Sequence, residues 1–201
     1  MQLDMDEVSE TTYDERMSPV SRQKALRILY ANLVLAVLIV SLFALLFLRR
    51  LHRYDGLIFE TGQAYGVDPR LISSVIWVES RFRVDRVGKA GEIGLMQVTP
   101  AAAQEWATEE GNALFTVLDL FEPGVNIRAG TWYLGRALQR WSDRPDPLPF
   151  ALAEYNAGRS NALRWSRESG PDSKAFMMAI TYPTTRRYIR DILKRFRGRA
   201  D

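Results

Sequence analysis

The feature that most constrains this chain is an uninterrupted apolar run near its N-terminus. Leu29 to Leu48 contains 20 residues without one charged side chain, and about 20 apolar residues are what an α-helix needs to cross a bilayer. In water such a segment would expose a large hydrophobic surface. The sequence therefore predicts a single transmembrane helix over residues 29–48, with the rest of the chain outside the lipid.

The residues that flank this run do not by themselves give its orientation. Three basic residues precede it and three follow it, so the positive-inside rule is undecided: Arg22, Lys24, Arg27, Arg49, Arg50 and Arg53. A cleaved signal peptide is the alternative reading. The polar lead of residues 1–28, the length of the run and the lack of a small-x-small site before Arg49 favour an uncleaved anchor. Residues 1–28 are expected to form a disordered tail.

The sequence after the anchor reads as one helical domain over residues 54–197. Apolar residues recur at helical spacing, no long segment alternates with period two, and no internal repeat occurs. The spacing predicts helices at about residues 54–65, 68–82, 100–108, 123–141, 148–157, 160–168, 173–180 and 183–197. The sequence is also compatible with a small β-hairpin near residues 84–95. The expected fold class is therefore all-α, preceded by a single transmembrane helix.

Glu79 is the residue that folding alone explains least. Asp68 and Pro69 begin a helix as its N-cap and first residue. At 100° per residue, Glu79 falls in the same stripe as Ile72 and Ile76. A carboxylate among aliphatic side chains is costly unless it is paired, protonated or used, and burial raises its pKa towards the value that a general acid needs near neutral pH. The alternative is a helix-end glutamate that turns to solvent or pairs with a nearby arginine.

The composition excludes several other kinds of site. The chain has no cysteine, which excludes disulfides and thiolate metal sites. Its single histidine, His52, lies among the arginines that follow the apolar run, which argues against a histidine metal site and a Ser-His-Asp triad. Lys and Arg number 27 against 24 Asp and Glu, too balanced to indicate nucleic acid. We therefore expect no metal, no cofactor and no nucleic-acid partner.

Five short blocks occur in a fixed order from Glu79 onwards. They are Glu79-Ser80, Gly94 to Pro100 (GLMQVTP), Asn126-Ile127 with Gly130 and Tyr133-Leu134, Tyr155 to Gly158 (YNAG), and Pro183 with Arg186 and Tyr188. Together they resemble the catalytic domain of the bacterial lytic transglycosylases of the soluble (SLT) type, which are relatives of goose-type lysozyme. The resemblance covers about residues 54–197. Each block alone is weak, but five in order make a strong signal.

The resemblance implies a lysozyme-like helical fold and a peptidoglycan lytic transglycosylase, a lyase that acts on polysaccharides. Glu79 would be the catalytic acid and then base, cleaving the bond from N-acetylmuramic acid to N-acetylglucosamine and leaving a 1,6-anhydro end. The implied substrate-binding residues are Ser80, Met96, Gln97, Tyr155, Asn156 and Tyr188. Because peptidoglycan lies outside the cytoplasmic membrane, the resemblance also implies a single-pass protein of the bacterial inner membrane with its enzyme domain in the periplasm.

The chain departs from the usual family residues at a few positions near these blocks. The family usually has Ser where Gly88 stands and Ala where Glu92 stands, and Glu154 and Thr184 are also unusual. Two alternatives stay open: a muramidase-type hydrolase, which would use a carboxylate such as Asp85 or Glu92 to activate water, and a catalytically lapsed wall-binding or assembly protein. Peptidoglycan strands are the expected partner, and a secretion or cell-wall machine is a further partner that the sequence leaves open.

Overall fold

The computed structural model describes residues 19–198, apart from the side chains of residues 19–21, 50 and 51. The chain divides after Arg49 into two compact units. Residues 1–18 of the predicted tail lie outside the described residues. Helix α1, Pro19–His52, begins ten residues before the predicted anchor, so residues 19–28 are helical and not part of a disordered tail. Proline at the first position and the good helix formers that follow explain the early start.

The first unit holds most of α1. Its stretch Arg22–Arg49 is long and apolar enough to cross a membrane, and none of its residues is buried. Large aliphatic and aromatic side chains such as Leu33 and Phe43 are therefore exposed all around the helix. A helix that is hydrophobic on every side is suited to lipid and not to water.

The second unit consists of eight α-helices and one short 3₁₀-helix within the described residues. The α-helices are α2 (Asp55–Tyr65), α3 (Pro69–Ser80), α4 (Pro100–Glu109), α5 (Pro123–Arg140), α6 (Leu148–Ala157), α7 (Arg159–Ser169), α8 (Ser173–Ala179) and α9 (Pro183–Arg197); the 3₁₀-helix is Val117–Phe121. Four helices begin with proline at the first position, which suits its fixed φ. The all-helical prediction is confirmed.

The region of the possible hairpin forms no strand among the described residues. Only isolated bridges join Val87 to Ile93 and Ile93 to Val98. Helix α3 also ends earlier than predicted, at Ser80, because Arg81 and Phe82 take left-handed backbone conformations with φ of 55° and 59°. The chain thus leaves α3 abruptly and enters a compact loop.

The hydrophobic core lies around α5 and α6. Helix α5 packs on α2, α4 and α6, while α9 packs on α3 and α6. Fully buried side chains fill the space between these helices, among them Ile76, Leu134, Phe150 and Trp165. Phe150 stacks on Phe176 with ring centroids 4.0 Å apart. This packing brings the end of α3, the loop before α4, the end of α6 and the start of α9 to one side of the domain.

Candidate active site

Glu79 lies in the last turn of α3, just before the helix is forced to end. The left-handed conformations of Arg81 and Phe82 cost roughly 1–2 kcal/mol each and persist only where surrounding contacts hold them. Phe82 is buried and stacks on Tyr54 with ring planes 5° apart. Ser80 is fully buried and donates to the Ile76 carbonyl at 3.1 Å. The backbone that carries Glu79 is therefore fixed on both sides.

The Glu79 carboxyl combines partial solvent exposure with strong desolvation. It is neither fully buried nor freely exposed, but the surrounding protein atoms raise its pKa to about 7, with burial as the largest cause. The Tyr188 hydroxyl and the Arg86 charge lower this pKa, and the Glu92 charge raises it. A carboxyl with a pKa near 7 can both give and take a proton at neutral pH.

Two tyrosine hydroxyls stand near this carboxyl. Tyr188 of α9 is buried, and its hydroxyl adjoins Glu79 without a partner that meets full hydrogen-bond geometry. The Tyr155 hydroxyl donates to the Met96 carbonyl at 2.9 Å. Burial, followed by the Glu79 charge, raises the pKa of both phenols well above the ordinary value. Both tyrosines therefore stay neutral and act only as hydrogen-bond donors or acceptors.

Gln97 lies in the loop that precedes α4. Gln97 adopts a φ of 49°, and its Nε2 donates to the carbonyls of Arg86 at 3.1 Å and Gly94 at 3.0 Å. Gln97 lines one cavity together with Tyr155 and Asn156. The structure therefore brings three of the predicted substrate-binding residues together.

Three of the predicted substrate-binding residues, Ser80, Met96 and Tyr188, are not among the residues that line this cavity. Ser80 and Met96 are both fully buried. Met96 packs against Gly130 of α5, where an added β-carbon would come within 2.7 Å of its sulfur, and Thr131 donates to the same sulfur at 3.6 Å. The prediction that these two side chains contact substrate is therefore not supported by their positions. They instead hold the end of α3 and the loop in place.

Asn126 organises the loop, a role that sequence reasoning missed. It is buried in α5, where its Oδ1 accepts from Met96 N–H at 2.8 Å and its Nδ2 donates to the carbonyls of Ile93 and Leu120, both at 2.8 Å. Gly94 has a φ of 81°, and a β-carbon there would lie 2.2 Å from the Asn126 amide. An amide on the apolar side of a predicted helix was the available signal.

A hydrogen bond joins the start of α9 to the end of α6. Asn156 is exposed at the end of α6, and its Oδ1 accepts from the buried Thr185 hydroxyl at 2.8 Å. The neighbouring Thr184 is exposed, and nothing in the structure connects it to the cleft. Asn156 lines the same cavity as Gln97 and Tyr155.

Glu154 has a structural position. Its buried carboxylate forms an ion pair with Arg140 and accepts from Trp141 Nε1 at 2.7 Å. This departure from the family pattern therefore joins α6 to the end of α5.

A second cavity, lined by Asp55, Phe59 and Arg70 among others, contains none of the predicted site residues. Within the described part of the chain, no group of three His, Asp or Glu side chains is placed to hold a metal ion.

Known proteins resemble this chain in sequence. Residues 56–177 match the family model described as the transglycosylase SLT domain. The membrane-bound lytic murein transglycosylase F of Desulfosudis oleivorans is 38% identical over 112 residues, covering 54% of this chain and 23% of that protein. The membrane-bound lytic murein transglycosylase C of Klebsiella pneumoniae is 32% identical over 122 residues, covering 58% and 34%. The matched region thus spans about a quarter to a third of these relatives.

Solved structures show the same fold. An inactive mutant of the lytic transglycosylase Slt of Pseudomonas aeruginosa superposes with a TM-score of 0.66 at 25% identity, covering 72% of this chain and 23% of that one. The 70-kDa soluble lytic transglycosylase of Escherichia coli gives a TM-score of 0.65 at 24% identity, covering 73% and 24%. The helical arrangement is therefore shared well beyond the short sequence blocks.

Proposed function

The chain belongs to the transglycosylase SLT domain family, and on this premise we propose that it is a membrane-anchored peptidoglycan lytic transglycosylase. The observation that carries the proposal is the Glu79 carboxyl, which is partly buried in the last turn of α3 and has a pKa of about 7. The relatives named membrane-bound lytic murein transglycosylases support the same activity.

In the proposed reaction Glu79 acts twice. Protonated Glu79 first gives its proton to the oxygen between N-acetylmuramic acid and N-acetylglucosamine, and the bond from that oxygen to C1 breaks. Ionised Glu79 then takes the proton of the muramoyl 6-hydroxyl, whose oxygen bonds to C1. The strand ends in a 1,6-anhydro ring, Glu79 regains its proton and no water is consumed. One carboxyl serves both steps because its pKa lies near the working pH.

The surrounding residues have distinct proposed roles. The Tyr188 hydroxyl stabilises the ionised form of Glu79 between the two steps, because it lowers the carboxyl pKa. Gln97, Tyr155 and Asn156 line the cavity and bind the sugars. Buried Ser80 and Met96 support the backbone on either side of the acid. Of these residues, only Tyr188 changes its interaction during the proton transfers.

The apolar helix supports a location of this activity at a membrane. We propose that residues 29–48 anchor the chain in the bacterial inner membrane by a single pass and that the domain of residues 54–197 lies in the periplasm. The stretch Arg22–Arg49 is long and apolar enough for this role. Peptidoglycan strands are the proposed substrate, and a complex with a secretion or cell-wall machine stays a prediction.

Replacing Glu79 tests the proposal directly. Glu79→Gln keeps the size of the side chain but cannot donate a proton, so release of anhydro-muropeptides should fall on the order of a thousandfold. Products are measured by mass spectrometry of digested peptidoglycan. Glu168→Gln, at an exposed position on α7, is the matched control and should act like the wild type. Unchanged release by Glu79→Gln would refute the assignment.

A muramidase-type hydrolase is the second candidate. Its motivating observation is that the Glu92 charge acts on Glu79, so a second carboxylate lies near the acid. Hydrolysis adds one water to the reducing end, whereas intramolecular transfer adds none. Masses of the same digestion products therefore decide between the two reactions.

A further inference from the structure

Helix α9 carries a positive charge that the proposed reaction does not use. It contains one acidic residue, Asp191, and six basic residues, which are Arg186, Arg187, Arg190, Lys194, Arg195 and Arg197. The reaction uses Tyr188 of this helix and none of these cations. A concentration of positive charge on a protein surface attracts anions. This part of the domain therefore favours an anionic ligand.

Two guanidinium groups and one ammonium group meet in a groove between α9 and the end of α3. The guanidinium carbons of Arg81 and Arg195 lie 4.8 Å and 4.2 Å from the centre of the Trp77 ring, and Lys194 lines the same groove. Of the described residues that line it, Asp191 alone is acidic. We name this site the α9 groove; its lining includes Trp77, Val78, Arg81, Asp191, Lys194 and Arg195. Its net positive charge suits a phosphate or carboxylate group.

A cavity with apolar walls shares Arg195 with this groove. It is the second cavity described above, here named the α2 cavity, and its apolar lining includes Ile58, Phe59 and Phe82. Ile58 and Phe82 are buried, whereas 57% of the Phe59 surface is exposed. The cavity measures about 490 Å³ and the groove about 640 Å³, within the range of roughly 300–1,000 Å³ that small-ligand sites have. A ligand with an anionic head and an apolar tail can contact both.

The charged side chains of the α2 cavity pair within the domain. His52 Nδ1 lies 2.7 Å from Asp55 Oδ2, and Arg70 forms an ion pair with Asp68 at 2.8 Å. These pairs offset much of the charge of the cavity. The charge that attracts an anion is therefore that of the α9 groove.

The α2 cavity lies close in the chain to the end of the apolar helix. His52 lines the cavity and is the last residue of α1, and it belongs to the second unit, which begins at Arg50. The apolar stretch ends at Arg49, and the three helical residues from there to His52 rise by about 4.5 Å. The headgroup layer beside the hydrocarbon core is roughly 5–8 Å thick. With Arg49 at the edge of that core, His52 lies among lipid headgroups.

We propose that the α9 groove and the α2 cavity together bind an anionic phospholipid of the anchoring membrane. The phosphate group lies in the groove, where Arg81, Lys194 and Arg195 donate hydrogen bonds to it. The apolar part of the lipid lies against Phe59 in the cavity. Trp77 fits this position, because tryptophan is enriched at membrane–water interfaces. The inference rests on the proposed membrane anchoring, since that anchoring brings lipid to this site.

Other anions compete for the same cations. Peptidoglycan carries carboxylates on its peptides, and free phosphate is a further anion. Each can use the charge of the α9 groove, but neither brings a lipid tail to the α2 cavity. The place of that cavity next to the end of the apolar helix favours the lipid. Lys194 and Phe59 therefore test the two halves of the site separately.

Lipid binding is measured by native mass spectrometry of the full chain released from a neutral detergent. The chain is first mixed with anionic phosphatidylglycerol or with phosphatidylcholine, which has no net charge, and the wild type should retain more of the anionic lipid. Lys194→Glu should weaken retention of phosphatidylglycerol about tenfold or more, because each basic charge near an anionic headgroup strengthens binding several-fold. Equal retention of phosphatidylglycerol by wild type and Lys194→Glu overturns the inference.

Arg167→Glu is the matched control for net charge. Arg167 is exposed on α7 and lines neither site, so this variant should retain phosphatidylglycerol like the wild type. Equal losses in Arg167→Glu and Lys194→Glu would show an effect of overall charge and would overturn a specific site. Arg81→Gln removes charge from the α3 side of the groove and should also weaken retention. Circular dichroism and melting temperature confirm that each variant is folded.

Phe59→Ser tests the apolar half of the site. It should weaken retention of phosphatidylglycerol several-fold, whereas glycerophosphoglycerol, the headgroup without acyl chains, should bind the variant and the wild type equally. Equal retention of phosphatidylglycerol by Phe59→Ser and wild type overturns the combined site. Inorganic phosphate or a muropeptide that binds more tightly than phosphatidylglycerol, and loses its binding in Lys194→Glu, would show that the groove serves another anion.

The anchoring proposal and this inference fail in different ways. Washing membranes with alkaline carbonate tests whether the wild type is anchored, without reference to the groove. If carbonate releases the wild type, the proposed anchoring fails. If the wild type stays in the membranes and Lys194→Glu retains phosphatidylglycerol like the wild type, only the inference about the lipid site fails.

Discussion

Glu79 shows how one residue can be reached by solvent and still be largely dehydrated. It lies in the last turn of α3, just before the chain turns away, and its side chain is partly exposed. Protein atoms on the other sides remove most of its hydration, and this raises the pKa to about 7. The energetic cost of that position is what makes the carboxyl suitable for acid–base chemistry.

The cost of burying the Glu79 carboxylate should appear in the pH dependence of the free energy of unfolding. The folded-state pKa of Glu79 lies above its ordinary value, so the folded state binds more protons between about pH 4.5 and 7. Stability therefore falls as pH rises through this window, by roughly 3 kcal/mol in total. Glu79→Gln lacks this loss, so its stability relative to wild type should rise from pH 4 to pH 8. Urea unfolding at the two pH values measures the difference, and a constant difference would contradict the raised pKa.

Tyr188 should set the upper pH limit of activity. Its hydroxyl lowers the pKa of Glu79, so Tyr188→Phe should raise that pKa. The free enzyme must hold Glu79 protonated to start the reaction, so activity is lost as pH rises through the pKa. The high-pH limb of kcat/KM should therefore move to higher pH in Tyr188→Phe. The proposed contact is wrong if the limb stays in place or moves to lower pH.

At the scale of elements, α5 is the platform on which the site is assembled. Asn126 forms two hydrogen bonds to the loop backbone, at Met96 and Ile93, and a third to Leu120 of the 3₁₀-helix. Gly130 lets Met96 pack directly on the helix backbone. The loop also holds backbone hydrogen bonds of its own, such as the two that join Ile93 and Val98, and α5 fixes it to the rest of the domain. The same helix ends in Arg140 and Trp141, which receive Glu154 from α6. One helix thus supports the loop and fixes the element that carries Tyr155.

The ion pair between Arg140 of α5 and Glu154 of α6 gives a test of how these two helices are held together. Glu154→Ala leaves Arg140 and the Trp141 N–H without their partner, and it should lower the free energy of unfolding by about 3 kcal/mol. Replacing both members with apolar residues, as in Arg140→Met with Glu154→Leu, should lower it far less, because no unpaired charge remains. Urea midpoints compare the variants. Similar losses in both would show that packing and not charge pairing explains Glu154.

At the scale of the whole molecule, the chain joins an apolar helix to a domain with its own core. The helix exposes apolar side chains throughout, whereas the second unit buries its apolar residues among its own helices. The two parts therefore suit different solvents. This difference is the physical basis of the proposed anchoring.

Cysteine labelling can test the proposed orientation, since the natural chain has no cysteine. Ser142→Cys lies at an exposed position after α5, and Ser9→Cys lies in the N-terminal tail. A membrane-impermeant maleimide should label Ser142→Cys in intact spheroplasts and Ser9→Cys only after permeabilisation. The reverse pattern would place the domain in the cytoplasm. Finding the label of Ser9→Cys on a full-length polypeptide excludes cleavage of the anchor.

Much of the helical architecture could be predicted from the sequence because its signals are local. A proline at the first helical position or an Asp or Thr cap acts within a few residues, as at Pro69 and Thr99. The apolar run needed only its length and composition. The placement of Glu79 in an aliphatic stripe followed from helical periodicity. The left-handed backbone conformations of Arg81 and Phe82 could not be predicted, because tertiary packing holds them.

Local patterns in the sequence were enough to predict the long apolar helix, most of the other helices and the unusual carboxylate. Tertiary structure alone decided which neighbours surround that carboxylate. It buried Ser80 and Met96 and brought Tyr188 beside Glu79. The physical reason is distance along the chain. Desolvation and charge interactions depend on which remote segments pack together, and no local pattern specifies that packing.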